Sequence, residues 1–174
     1  MTFGLAQPPE YLHALLNHLP ILGLAVALLA LGSALLSKHR AAIAGSLLLV
    51  GLLAASAWPV IASGASAYDR IRVISDPEGA ALLKRHMVLA ERWAWLYYVT
   101  AAIALAGAIL AWKRPKWQNG AAITVALFAA SALAGGAAAA KLGGQVRHAE
   151  FRPGSALVPH DVPAAHHLRH DARH

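Results

Sequence analysis

Four long stretches of this chain contain no charged residue, and they limit its fold more than any other feature. They cover residues 19–36, 41–63, 93–112 and 121–140. At about 1.5 Å per helical residue, each can cross a hydrocarbon core about 30 Å thick. None alternates apolar and polar residues with period two, which disfavours a β-barrel. The sequence predicts an all-α integral membrane protein built as a four-helix transmembrane bundle.

The predicted helices occupy about 9–36, 41–63, 80–112 and 120–142, within a transmembrane domain of residues 1–151. Gly143 and Gly144 are interpreted as the stop of the last helix. That helix also carries five alanines at four-residue spacing, which predicts a small-residue seam for close helix packing: Ala122, Ala126, Ala130, Ala134 and Ala138. Residues 152–174 form a separate His- and Pro-rich tail.

The distribution of charge predicts the topology. The chain has a formal net charge of +7. Five of its cations, with no acidic residue among them, lie in the two loops that join helices 1–2 and 3–4: Lys38, Arg40, Lys113, Arg114 and Lys116. By the positive-inside rule these loops are cytoplasmic. We therefore expect a multi-pass protein of a bacterial inner membrane with both termini and the tail in the periplasm. Cations used as topology anchors in a lipid bilayer do not predict nucleic-acid binding.

Four histidines are expected to gather at the periplasmic face, because helices 1 and 3 start there and helix 4 ends there: His13, His18, His86 and His148. Asn17, Glu91 and Arg92 lie at the same level and are candidates for the surroundings of a site. The chain has no cysteine, so c-type haem attachment and thiolate-bound clusters are excluded.

His13 and His18 are five residues apart, so they differ by roughly 140° around a helix and face different grooves. We predict that His18 and His86 are the two axial ligands of the iron of a b-type haem, with His13 and His148 in supporting positions. A structural or electrostatic role, or a Cu or Zn site in the same cluster, stays open as the alternative. His166, His170 and His174 in the tail share one helical face and form a weak candidate metal site.

Short motifs link the chain to a known family. The stretch HALLNHLPI contains His13, His18, Pro20 and Ile21; ASGASAYDRI follows helix 2, and LGGQVRHAEFRPG follows helix 4. Over about residues 11–154 this pattern resembles the bacterial membrane family named domain of unknown function 2231. The resemblance implies a four-helix membrane module sometimes found with cytochromes, and so a redox role by analogy.

Together these observations predict a membrane electron-transfer subunit. No nucleophile–base set, phosphate loop or zinc-protease helix is present, so no catalytic residue is assigned and a non-catalytic redox or anchor subunit is favoured over an enzyme. The subunit would pass electrons between a periplasmic or membrane redox partner and quinone or a larger complex. The alternative is a Cu- or Zn-binding or purely structural subunit without haem. A homo-oligomer is left open.

Overall fold

The computed structural model describes residues 7–154, which contain four long helices and no strand. We number them helix 1, Pro9–Ser37; helix 2, Arg40–Ile74; helix 3, Pro77–Lys113; and helix 4, Gln118–Arg147. Each lies in a segment long and apolar enough to cross a membrane. The all-α class and the four candidate transmembrane helices are confirmed. The side of the membrane taken by each terminus stays a prediction.

The helices alternate in direction, so the bundle has two distinct ends. Residues 38–39 join helices 1 and 2, and residues 114–117 join helices 3 and 4; we call this the basic end because all five loop cations lie there. Residues 75–76 join helices 2 and 3 at the opposite, histidine end. An ion pair of 2.8 Å between Glu10 and Arg70 ties the start of helix 1 to helix 2 at that end.

The turns between helices use residues suited to them. Lys38 adopts a left-handed conformation with φ of 56° and ends helix 1. His39 caps helix 2, its Nδ1 accepting from the Ala42 N–H at 3.3 Å. Asp76 caps helix 3 by accepting from the Gly79 N–H at 2.7 Å, and Pro77 takes the first helical position, where its missing N–H costs nothing.

Two prolines interrupt helices 1 and 2 in the same way. A proline inside a helix cannot bond to the carbonyl four residues before it. Regular α-helix stops at Leu16, four residues before Pro20, and at Ala55, four residues before Pro59. Helix 1 then continues through a π-helical turn, Leu19–Gly23, and helix 2 resumes at once as Ala57–Ile74.

Helices 2 and 3 are longer than the sequence bounds of 41–63 and 80–112. Helix 2 continues to Ile74, and helix 3 begins at Pro77. The bound of helix 2 followed its uncharged stretch, but helix formation does not stop where charges begin. The bound of helix 3 already included charged residues, and the observed helix only adds its capped first residues, 77–79, and Lys113. The added turns of helix 2 contain Asp69, Arg70 and Arg72, all exposed. Helix 4 likewise continues through Gly143 and Gly144 to Arg147, so their interpretation as a helix stop is wrong.

Helix 3 packs against both helix 2 and helix 4, and buried aliphatic side chains such as Leu31, Leu47 and Val125 fill the centre. Of the five regularly spaced alanines of helix 4, only Ala122 is buried, so within the bundle the predicted seam is wrong. Residues four apart rotate by about 40° per step around a helix, and a strict series leaves the contact face. The buried face instead mixes steps of three and four: Ala122, Val125, Ala129, Ala132, Gly135 and Ala139.

Candidate functional site

Two imidazoles from different helices meet toward the histidine end of the bundle. His13 of helix 1 and His86 of helix 3 have ring centroids 6.2 Å apart, with their planes nearly perpendicular at 84°. Both residues are partly buried. We call this pair the two-histidine site.

Each imidazole bonds to a backbone carbonyl of another helix: His13 to helix 2 and His86 to helix 4. Nδ1 of His13 lies 2.9 Å from the carbonyl oxygen of Val60, and Nδ1 of His86 lies 2.7 Å from that of Ala139. A carbonyl oxygen can only accept, so Nδ1 of each ring carries the hydrogen and donates it. Nε2 is therefore the nitrogen left free for a ligand on both rings, the arrangement found in most metal-binding histidines.

A glycine makes room for each ring. Gly64 and Gly143 each lie four residues after the carbonyl that is bonded, which is the residue toward which a helical carbonyl points. A Cβ at Gly64 would lie 2.9 Å from two atoms of the His13 ring, and one at Gly143 would lie 3.1 Å from Cε1 of His86. The site thus uses one arrangement twice, an accepting carbonyl followed four residues later by glycine.

His18, predicted as the partner of His86, occupies a different position. Its side chain is exposed and makes no hydrogen bond within the described part of the chain, and the residue directly precedes the π-helical turn at Pro20. The structure therefore brings His13 against His86. The five-residue spacing already indicated that only one of the two histidines of helix 1 faces any given groove, but the sequence could not identify which.

The polar residues expected around the site differ in their environments. Asn17, one turn from His13 on the same helical face, is partly buried, and its Oδ1 is buried without a hydrogen-bond partner among residues 7–154. Glu91 and Arg92 are both exposed, and neither forms an ion pair in residues 7–154. Of these three residues, Asn17 is therefore the one with a buried acceptor atom that still needs a hydrogen-bond donor close to the two-histidine site.

His148 lies just beyond helix 4 and is engaged locally. Its Nδ1 lies 3.0 Å from Oε1 of Glu150, and its ring packs against Phe151 at a centroid distance of 4.9 Å. A backbone hydrogen bond within Glu150, followed by the bond to His148, lowers the pKa of that carboxyl. These contacts make His148 part of the C-terminal segment.

Arg152 fastens that segment to the connection between helices 2 and 3. Its side chain is only 8% exposed, and it donates to both carboxylate oxygens of Asp76 at 3.1 and 3.0 Å and to the carbonyl of Gln145 at 2.9 Å. Glu78 lies 3.5 Å away. The hydrogen bonds from Arg152 and then from the Gly79 N–H hold the pKa of Asp76 below its usual 3.8. Arg152 was not among the candidate residues that the sequence indicated.

Within residues 7–154, no group of three or more His, Cys, Asp or Glu side chains could hold a metal ion. His166, His170 and His174, the weak candidate metal site, lie outside the described residues. In comparisons with protein-family models, with curated proteins and with solved structures, nothing matches this chain.

Proposed function

We propose that this protein is a membrane electron-transfer subunit that binds one b-type haem through His13 and His86. The observation that carries the proposal is the pairing of two imidazoles, from helices 1 and 3, with Nε2 free on both. His86 keeps the role that the sequence suggested, and His13 replaces His18 as its partner.

The distance between the two rings leaves room for one metal ion between them. An imidazole nitrogen binds a metal ion at about 2.0–2.1 Å. If both Nε2 atoms faced one ion, two such bonds and the radius of each ring would add up to about the 6.2 Å that separates the ring centroids. A structural zinc ion takes four protein ligands and a catalytic one three, and no such group exists among residues 7–154. A haem iron needs only two axial protein ligands, which favours haem over a zinc centre.

The residues around the pair have defined tasks in this proposal. The carbonyls of Val60 and Ala139 hold each ring by its Nδ1–H, which sets the ring orientation and makes Nε2 a stronger donor. Gly64 and Gly143 permit that approach. Bound haem iron supplies one-electron redox chemistry. Asn17, with its buried and unpartnered Oδ1, is available to a polar group of the ligand or to water beside it.

The position of the site suggests its partners. With the basic end in the cytoplasm, both termini and the two-histidine site lie toward the periplasm of a bacterial inner membrane. At the basic end His39 is the only histidine among the described residues, and it caps helix 2. The described residues at that end offer no second pair of histidines, which disfavours a transmembrane electron path through this chain alone. We propose exchange of electrons with a periplasmic redox protein and with quinone or a larger membrane complex.

Visible spectroscopy tests this proposal. The full chain is purified in mild detergent from haem-replete cells, and oxidised and dithionite-reduced spectra are recorded together with metal analysis. We expect a b-type spectrum that is lost in His13→Ala and in His86→Ala. His18→Ala and His148→Ala are matched controls that keep it, since both rings lie apart from the pair.

Three outcomes would contradict the proposal. A colourless wild-type protein refutes haem binding, and copper or zinc in that sample favours the metal-binding alternative. Loss of the spectrum in His18→Ala but not in His13→Ala returns the ligand role to His18. A reporter fused after His174 that is active only in the cytoplasm refutes the proposed orientation.

A further inference from the structure

An open groove lies between helices 1 and 2 at the basic end, far from the two-histidine site. Its volume is about 540 Å³, and its walls are small, mostly apolar residues of both helices. Ser33 and Ser37 line it from helix 1, and Ala42, Gly45 and Ser46 line it from helix 2. The groove extends over about two helical turns from the loop at Lys38 toward the middle of the bundle.

Two serine hydroxyls in this groove lack the usual intrahelical bond. Residues 7–154 contain eight serines, and six of them donate to a carbonyl three or four residues earlier. The other two, Ser33 and Ser46, make no hydrogen bond within that range, and both line the groove. Ser46 is only 9% exposed. An unmet hydroxyl in a lipid environment is costly, so the groove calls for an occupant that accepts hydrogen bonds.

A lysine stands at the mouth of the groove, since Lys38 directly follows Ser37. Lys113, Arg114 and Lys116 lie at the same end of the bundle, and none of these four cations forms an ion pair in the described part of the chain. No acidic residue lies in either loop. An anionic headgroup at this level would meet cations alone.

We propose that this groove binds one anionic phospholipid. An acyl chain covers the apolar wall, the ester oxygens accept hydrogen bonds from Ser33 and Ser46, and the headgroup phosphate lies at Lys38. Ser46 is six residues into helix 2, about 9 Å below its start, which is a suitable depth for ester oxygens beneath a headgroup. A second copy of the chain fits less well, because a parallel copy on this face would bring two sets of loop cations together.

Native mass spectrometry of the full chain in mild detergent tests the proposal. The protein is incubated with phosphatidylglycerol or with phosphatidylcholine of identical acyl chains, and bound lipid is counted. We expect one phosphatidylglycerol retained in preference to phosphatidylcholine. Gly45→Leu fills the groove and abolishes that binding. Lys38→Gln lowers the preference about fivefold, the contribution of one basic residue at an anionic lipid surface.

Gly32→Leu is the matched control, because Gly32 lies on helix 1 outside the groove and, like Gly45, has open space where a Cβ would be. It keeps wild-type lipid binding. Circular dichroism reports folding of each variant, and Ala42→Leu, at an exposed position on the groove wall, replaces Gly45→Leu if that variant loses its helices. Equal retention of both lipids, unchanged binding in a folded groove-filling variant, or a dimer that Gly45→Leu dissociates would each overturn the proposal.

Discussion

Gly64→Ala tests whether glycine is what allows His13 to reach the carbonyl of Val60. The added Cβ would lie 2.9 Å from the ring, about 0.5 Å closer than the 3.4 Å at which ordinary contact begins. The ring must move away, and a bond of 2.9 Å between Nδ1 and the carbonyl oxygen then lengthens beyond useful range. The same substitution at Gly32, where nothing lies within 4 Å of a Cβ, meets no such obstacle.

Three contributions set the expected magnitude. Replacing glycine by alanine inside a helix stabilises by about 1 kcal/mol where space is free. Overpacking costs about 1–3 kcal/mol, and loss of one hydrogen bond costs about 1 kcal/mol. Gly32→Ala should therefore raise the free energy of unfolding by up to about 1 kcal/mol. The free energy of unfolding of Gly64→Ala should be roughly 2–4 kcal/mol lower than that of Gly32→Ala, the sum of the overpacking and hydrogen-bond costs.

Unfolding in mixed detergent micelles, followed by circular dichroism, measures this difference. Nitrogen-15 spectra of the imidazoles report whether His13 keeps its hydrogen on Nδ1. If Gly64→Ala is as stable as Gly32→Ala and leaves the His13 signals unchanged, the requirement for glycine is refuted. Gly143→Ala offers an independent repeat of the experiment on His86.

Three further changes have defined expectations. Because the pKa of Asp76 is lowered in the folded protein, its contribution to stability is complete above about pH 3.8 and is lost as the pH falls through the folded pKa. Asp76→Asn should release the Arg152 segment at neutral pH, which would be seen as faster hydrogen exchange in residues 147–153. Unchanged exchange would contradict this. Tyr97→Phe should raise the free energy of unfolding by about 1 kcal/mol, because the hydroxyl it removes is buried without a partner in the described part of the chain. A loss of stability would reveal a bond to that hydroxyl. Arg40→Gln removes donors to two carbonyls at the end of helix 3 and should speed exchange in residues 111–117, with the two-histidine site unaffected.

The four helices follow from properties that the sequence displays directly, whereas the exact helix ends depend on more than those properties. Uncharged stretches reliably indicated four helices, but charged residues can continue a helix beyond the hydrocarbon, so helix 2 extends past its predicted end at residue 63 to Ile74. Gly143 was interpreted as a helix stop, since glycine is common after helix ends. It lies inside helix 4 instead, where the absence of a side chain leaves room for the His86 ring.

Hydrophobicity, charge distribution and proline positions are local properties, and the sequence by itself determined the features that depend on them: four long helices, a basic end, and interruptions four residues before Pro20 and Pro59. The selection of His13 over His18, and its pairing with His86, depends on the rotation of each helix about its axis. The sequence leaves that rotation open because both histidines are equally polar. Packing of helices 1 and 3 against the Val60 and Ala139 carbonyls decides it, and glycines at the two contact points make that packing sterically allowed.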